Sequence, residues 1–305
     1  MKKILIILLV ALLSSLSSYS AEGWETNIEK AKNIAKTTNK SILIKFTGSD
    51  WCPPCIELEK TVFATSDFTK YAEDKLVLVE LDYPQRKEQP AELKKQNQML
   101  QQKYKIQGFP TVLITDSEGL PFAKTGFQPG GPEFYSEHLD QFLAKKVLID
   151  SAYEEADKLT GDARAEKLVK ALNQIPEDLL FHYQDVMEEI YELDPEDTTG
   201  FKKTQSLKAP LKELQGSVVG LAVQGKIDEA LKSVDDFITS NSLEGENKQN
   251  ALMVKLNCFN PQIKADLEQA DKLMDEVIAI SQTTRTGVEA QTIKGQIIEM
   301  KAQAK

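Results

Sequence analysis

Three short apolar runs constrain the architecture of this chain more than any other feature: Ser41–Thr47 (SILIKFT), Leu76–Leu81 (LVLVEL) and Thr111–Thr115 (TVLIT). Each is short, apolar and rich in β-branched residues, so each reads as a buried strand. Segments with helical character lie around them: Trp24–Thr38, Pro53–Phe63, a helix capped by Asp67 and running to about Asp74, and Pro90–Tyr104. Asp116–Gly119 is a turn leading into a fourth strand at Pro121–Thr125, and Glu133–Lys146 closes the region as a helix. Strands alternating with helices predict an α/β fold with a mixed sheet covered on both faces.

After Lys146 the strand signals stop. The remainder reads as helical, with breaks at Thr160-Gly161-Asp162, Ile175-Pro176-Glu177, Asp194-Pro195, Gln224-Gly225-Lys226 and Asn260-Pro261. The stretches between breaks suit antiparallel helical hairpins of about 15–25 residues per helix. Tyr191–Pro195 and Gly225–Leu231 resemble the ends and starts of tetratricopeptide-type repeats, but no period of ~34 residues holds. An all-α domain is therefore predicted over residues 147–305, either an irregular helical-repeat-like array or a plain bundle, after an α/β domain over residues 22–146.

Charge divides at the same place. The chain has 47 acidic and 37 basic side chains, a net charge of −10. Residues 22–146 hold 18 acids and 17 bases, whereas residues 147–305 hold 29 acids and 18 bases. This balance argues against wrapping nucleic acid, which needs clustered Lys and Arg. In the second domain the acids read as a solvated face, or as a docking face for a basic partner.

The first residues read as an address. Met1-Lys2-Lys3 is followed by the apolar run Ile4–Leu13 and a small polar stretch to Ala21, the layout of a secretory signal peptide over residues 1–21. Cleavage is expected after Ser20 or Ala21. A spanning helix needs about 20 apolar residues, and this run is half that length. The expectation is an exported protein, periplasmic or extracellular, with no stable membrane insertion after cleavage, in a compartment where thiols can cycle.

The chemistry is expected at Trp51-Cys52-Pro53-Pro54-Cys55, between the first strand and a helix. Cys52 would precede the first helical turn, where unpaired N–H groups and the positive end of the dipole favour a thiolate. A lowered thiol pKa makes a nucleophile. Cys55, expected to be the more buried, would resolve the mixed disulfide that Cys52 forms. Pro53 and Pro54 suit the first turn, where their missing N–H groups have no intrahelical role. They also remove two donors, leaving the Cys55 N–H nearest to the thiolate. The other readings are a metal site, with no second CxxC and remote histidines to complete it, and a purely structural disulfide, which would close a very short loop.

With this motif the chain resembles the thioredoxin family. Strand, WCPPC, helix and strand are followed by Tyr104-Lys105-Ile106-Gln107-Gly108-Phe109-Pro110-Thr111, leading into the next strand. The stretch Phe46–Cys52 looks most like the exported, disulfide-interchange members. The resemblance covers residues 24–146. It implies a cis bond before Pro110 beside the active-site disulfide, and a Phe109 backbone that pairs with an extended substrate segment. No bound cofactor or metal is implied beyond the redox-active Cys52–Cys55 pair.

One departure from the family concerns charge. Lys45 falls where these proteins carry a buried aspartate, and Glu80 where they carry a lysine. A buried charge without a partner is costly, so Lys45 and Glu80 are expected to face each other under the site. Glu80 would then accept the Cys55 proton while Lys45 favours the thiolate.

The function expected is an exported thiol–disulfide oxidoreductase acting on protein thiols and disulfides, with a separate redox protein as electron partner. Trp51 shields the site, and Phe109 and Pro110 position the substrate. The alternative is a redox-regulated adaptor whose helical domain grips a partner protein. Cys258 is expected to be a buried helical cysteine, and His138 and His182 surface or packing residues.

Overall fold

The computed structural model describes residues 23–303. The expected signal peptide, residues 1–21, lies outside the described residues. No helix among them is long and apolar enough to cross a membrane.

The α/β part is built in the order β1 (Trp24–Glu25), α1 (Ile28–Thr38), β2 (Ser41–Thr47), α2 (Pro53–Leu58), a π-helical turn (Glu59–Phe63), α3 (Ser66–Lys75), β3 (Leu76–Asp82), α4 (Ala91–Lys103), β4 (Thr111–Thr115), β5 (Pro121–Thr125) and α5 (Gly131–Ala156). The sheet runs β1-β3-β2-β4-β5; β3 is parallel to β1 and β2, and β4 is antiparallel to β2 and β5. The strands expected from the apolar runs occupy its centre. Burial of their Val, Leu, Ile and Phe side chains stabilises the fold by about 1.5–3 kcal/mol each.

Because side chains alternate along a strand, Lys45 and Phe46 serve opposite faces of β2. Phe46 meets Tyr83 and Tyr104 on one face. On the Lys45 face, Trp24, Phe63, Phe68 and Tyr135 pack as a chain of edge-to-face rings.

Local differences from the sequence reading have local causes. Trp24 is paired with Leu78 in the sheet, and α1 starts later because Asn27 caps it, accepting from the Lys30 N–H at 2.9 Å. Thr65 rather than Asp67 caps α3, accepting from the Phe68 N–H. The helix after the cysteines passes into a π turn at Glu59. The helix expected to end at Lys146 continues to Ala156, since Ile149, Ala152 and Ala156 carry on its buried face at helical spacing.

The rest of the chain is helical: α6 (Gly161–Leu172), a 3-10 turn (Glu177–His182), α7 (Gln184–Leu193), α8 (Phe201–Val223), α9 (Ile227–Ser240), α10 (Gly245–Val254), a 3-10 turn (Lys255–Cys258), α11 (Lys264–Ile280) and α12 (Arg285–Gln303). The chain forms two compact units. One comprises residues through Glu155 together with Lys170–Val186; the other comprises Ala156–Val169 and residues from Met187 onward. The expected domain boundary at residue 146 thus falls inside α5, and a later segment returns to the α/β unit. There Tyr183 donates to the Pro121 carbonyl at 3.1 Å and Lys124 pairs with Asp178 at 2.7 Å. In the helical unit, Met274, Val277, Ala290 and Ile297 form one buried cluster and Val218, Ala230 and Val234 another.

Candidate active site

The loop after β2 turns sharply, with the Cys52 N–H donating to the Gly48 carbonyl at 3.0 Å. Ser49, Asp50 and Trp51 are each bonded to the end of β3 or to the segment that follows it. The Ser49 N–H and hydroxyl donate to the Asp82 carboxylate at 2.9 and 2.6 Å. The Asp50 carboxylate accepts the N–H groups of Gln85, Arg86 and Lys87 at 3.0, 2.7 and 3.0 Å. The Gln85 N–H foremost holds the Asp50 carboxyl below its ordinary pKa, with Arg86 and Lys87 adding to the effect against desolvation. The Trp51 indole N–H donates to the Tyr83 carbonyl at 2.8 Å.

This turn delivers Cys52 to the N-cap of α2, followed by Pro53 and Pro54 in the first turn. Cys52 and Cys55 are joined by a disulfide, their Cα atoms 5.3 Å apart. The expectation that Cys55 is the more buried does not hold in this oxidised form, where both residues are 3 % exposed. The Cys55 N–H donates to the Cys52 carbonyl at 3.1 Å, so in the disulfide form it is engaged by the helix start.

The Phe109–Pro110 peptide bond is cis. The Phe109 ring stands edge-on to Trp51, with centroids 5.8 Å apart, and against Tyr83 at 5.0 Å. This aromatic wall ties the proline loop to the residue preceding Cys52.

Beneath the cysteines, the parallel register of β2 and β3 sets Lys45 opposite Glu80. The Lys45 ammonium lies 2.7 Å from the Glu80 carboxylate and 4.1 Å from the centroid of the Trp24 ring. It also forms an ion pair with Glu59, a contact absent from the sequence reading. The signal for Glu59 was its spacing: four residues after Cys55, it lies on the same helix face. Lys45 is 3 % exposed, Glu80 16 % and Glu59 34 %. Cys55, Ile56, Lys45, Glu59 and Glu80 line one side of a cleft of about 790 Å³.

The remaining candidates sit elsewhere. Cys258 is a free thiol, buried near Val254 in the helical unit, and burial raises its pKa against the influence of Lys255. His138 meets the Thr125 hydroxyl at 3.0 Å, and His182 packs on Phe181. Among the described residues no group of three or more His, Cys, Asp or Glu side chains is placed to hold a metal ion.

The thioredoxin-like domain family matches residues 28–142. The chain is 40 % identical over 112 residues to the disulfide bond reductase DsbH of Chlamydia pneumoniae, covering 37 % of this chain and 67 % of that protein. It is 29 % identical over 103 residues to the thioredoxin-related protein DsbJ of Chlamydia pneumoniae, covering 34 % of this chain and 30 % of that one. A solved DsbH oxidoreductase structure shares 38 % identity, covers 40 % of this chain and 83 % of its own, and superposes with a TM-score of 0.38. With a CPPC disulfide at a helix start and a relative matched over two thirds of its length, the chain belongs to the thioredoxin family, as a thiol–disulfide oxidoreductase of the disulfide-interchange type.

Proposed function

We propose that the protein is exported and reduces or exchanges disulfides in other proteins through Cys52. The observation that carries this reading is the Cys52–Cys55 disulfide at the start of α2, tied through Trp51 and Phe109 to the cis-Pro110 loop. In the reduced enzyme, the Cys52 thiolate attacks one sulfur of a substrate disulfide. A Cys52–substrate bond forms and the other substrate sulfur leaves as a thiolate. Cys55 then attacks the Cys52 sulfur, forming the intramolecular disulfide and releasing the second substrate thiol. The substrate gains two electrons and the cysteine pair loses them. A separate dithiol protein restores the reduced pair, and no bound cofactor takes part.

Trp51 shields the disulfide, and Pro53 and Pro54 shape the first turn of α2. The Phe109 backbone aligns an extended substrate segment beside the cis-Pro110 loop. Net reduction is favoured as the direction by the name of the relative DsbH, a disulfide bond reductase. Export is supported by the basic and apolar pattern of residues 1–21.

The test is insulin-disulfide reduction with dithiothreitol as electron source. The expected result is activity that Cys52→Ser abolishes, while Cys55→Ser, reduced beforehand and mixed with insulin after the dithiothreitol is removed, accumulates a Cys52-linked mixed disulfide on a non-reducing gel. Failure of Cys55→Ser to trap any substrate would remove the mechanism. The reduction potential of the pair reports direction: a value near about −270 mV marks a reductant and one near about −120 mV an oxidant.

A further inference from the structure

We infer that Glu59 is the carboxylate that exchanges the Cys55 proton during disulfide transfer, while Glu80 serves to hold Lys45. The inference rests on the oxidoreductase reading above and divides between two residues the roles that the sequence assigns to Glu80 alone.

Glu59 begins the π turn directly after α2, and its N–H donates to the carbonyls of Cys55 and Ile56. Residues four apart on a helix lie on one face, so the Glu59 carboxylate is carried below Cys55 on the side facing the cleft. Cys55, Glu59, Lys45 and Glu80 all line that cleft. Cys52 is not among the residues that line it.

Charge then separates the two carboxylates. One ammonium serves two acids, so the fully ionised cluster carries a surplus negative charge. Lys45 is almost wholly buried and must keep a partner, because an unpaired buried charge is strongly destabilising. Glu80 supplies that partner from the adjacent strand, directly opposite in register and 16 % exposed. Glu59 is twice as exposed, at 34 %, and extends from the helix side. A proton on Glu59 leaves the Lys45–Glu80 pair intact and is free to pass to bulk water. The other charged groups on the cleft wall are Lys60 on the π turn, Asp82 on β3, and Lys87 and Glu88 in the following loop. Asp82 is already engaged by Ser49.

In the resolving step the Cys55 S–H bond breaks, and its proton passes through cleft water to the Glu59 carboxylate and then to solvent. The Cys55 sulfur bonds to the Cys52 sulfur, and the Cys52–substrate bond breaks to release a substrate thiolate. In the reverse direction Cys55 leaves as a thiolate and recovers its proton by the same path.

The experiment uses the reduced full-length protein carrying Cys258→Ala, so that only Cys52 and Cys55 can react, and 5,5′-dithiobis(2-nitrobenzoate) in stopped flow. The first nitrothiobenzoate released reports attack by Cys52 and the second reports resolution by Cys55. For Glu59→Gln, the second phase should slow relative to the first by at least about tenfold at pH 6 and climb about tenfold per pH unit towards pH 8, as expected when general-base assistance is lost. The wild type and Glu59→Asp, which keeps the carboxylate, should show a shallower profile. A wild-type profile in Glu59→Gln overturns the inference, as does an equally steep profile in Glu59→Asp. If the wild type itself releases no second equivalent, it is the oxidoreductase reading that fails.

Discussion

At Gly48 a side chain is excluded by the indole that covers it. A Cβ there would lie 2.5–2.8 Å from three atoms of the Trp51 ring, and that ring is anchored by its N–H on the Tyr83 carbonyl. Gly48→Ala should therefore push Trp51 aside, break this bond and disturb the edge contact with Phe109. Overpacking of this kind costs about 1–3 kcal/mol. A urea midpoint lowered to match, together with a changed Trp51 fluorescence, would register it. Lys45 illustrates the opposite problem, a buried charge accommodated by two carboxylates and by the faces of Trp24 and Phe63. A desolvated cation over an aromatic ring contributes about 2 kcal/mol.

The elements with most consequence are short ones. The π turn at Glu59–Phe63 turns the end of α2 so that Glu59 reaches Lys45 while Phe63 enters the ring cluster. The 3-10 turn at Glu177–His182 lays His182 against Tyr104 and Phe181. Burial there, reinforced by Lys103 and Lys105, lowers the His182 pKa from 6.5 to about 4. Its buried Nε2 makes no hydrogen bond in the structure. A folded-state value below the unfolded one means the fold favours the neutral ring. The stabilisation is then complete above about pH 6.5 and is lost as pH falls through about 4. Thermal unfolding of the wild type should thus weaken over this window, and His182→Leu should flatten that part of the curve. An unchanged slope in the variant would show that other groups set it.

Along the chain, the acidity and the redox chemistry are segregated. The cysteine pair lies in the nearly neutral span of residues 22–146, and the excess acid lies in residues 147–305. Compactness follows a different line, because Lys170–Val186 belongs with the α/β unit. A fragment ending at residue 146 would cut α5 and lose the Tyr183–Pro121 and Lys124–Asp178 contacts. Compared with a fragment of residues 22–186, it should melt at least about 3 °C lower, a shift worth about 1 kcal/mol in a domain of this size. Calorimetry on both fragments checks this, and equal melting temperatures would place the stable boundary at 146. Insulin reduction by the longer fragment would locate the activity in the α/β unit; its loss there would favour the adaptor alternative.

By itself the sequence determined whatever is encoded in short spans. The β-branched runs specified β2, β3 and β4, and the turn at Asp116–Gly119 pointed to β5, because a strand flanked by turns is legible in short spans. CPPC marked the site for the same reason, two cysteines at a helix start being local chemistry, whereas Gly108-Phe109-Pro110 marked it only through the resemblance to the thioredoxin family. The Lys45–Glu80 pair was legible only by comparing two strands. Tertiary structure alone decided that Trp24 joins the sheet, that Glu59 shares Lys45, and that residues 170–186 return to the first unit. A two-residue strand has too little pattern to announce itself without the partner that supplies its hydrogen bonds. A buried ammonium takes its partners from whichever elements packing brings within reach, and no spacing along the chain records that meeting.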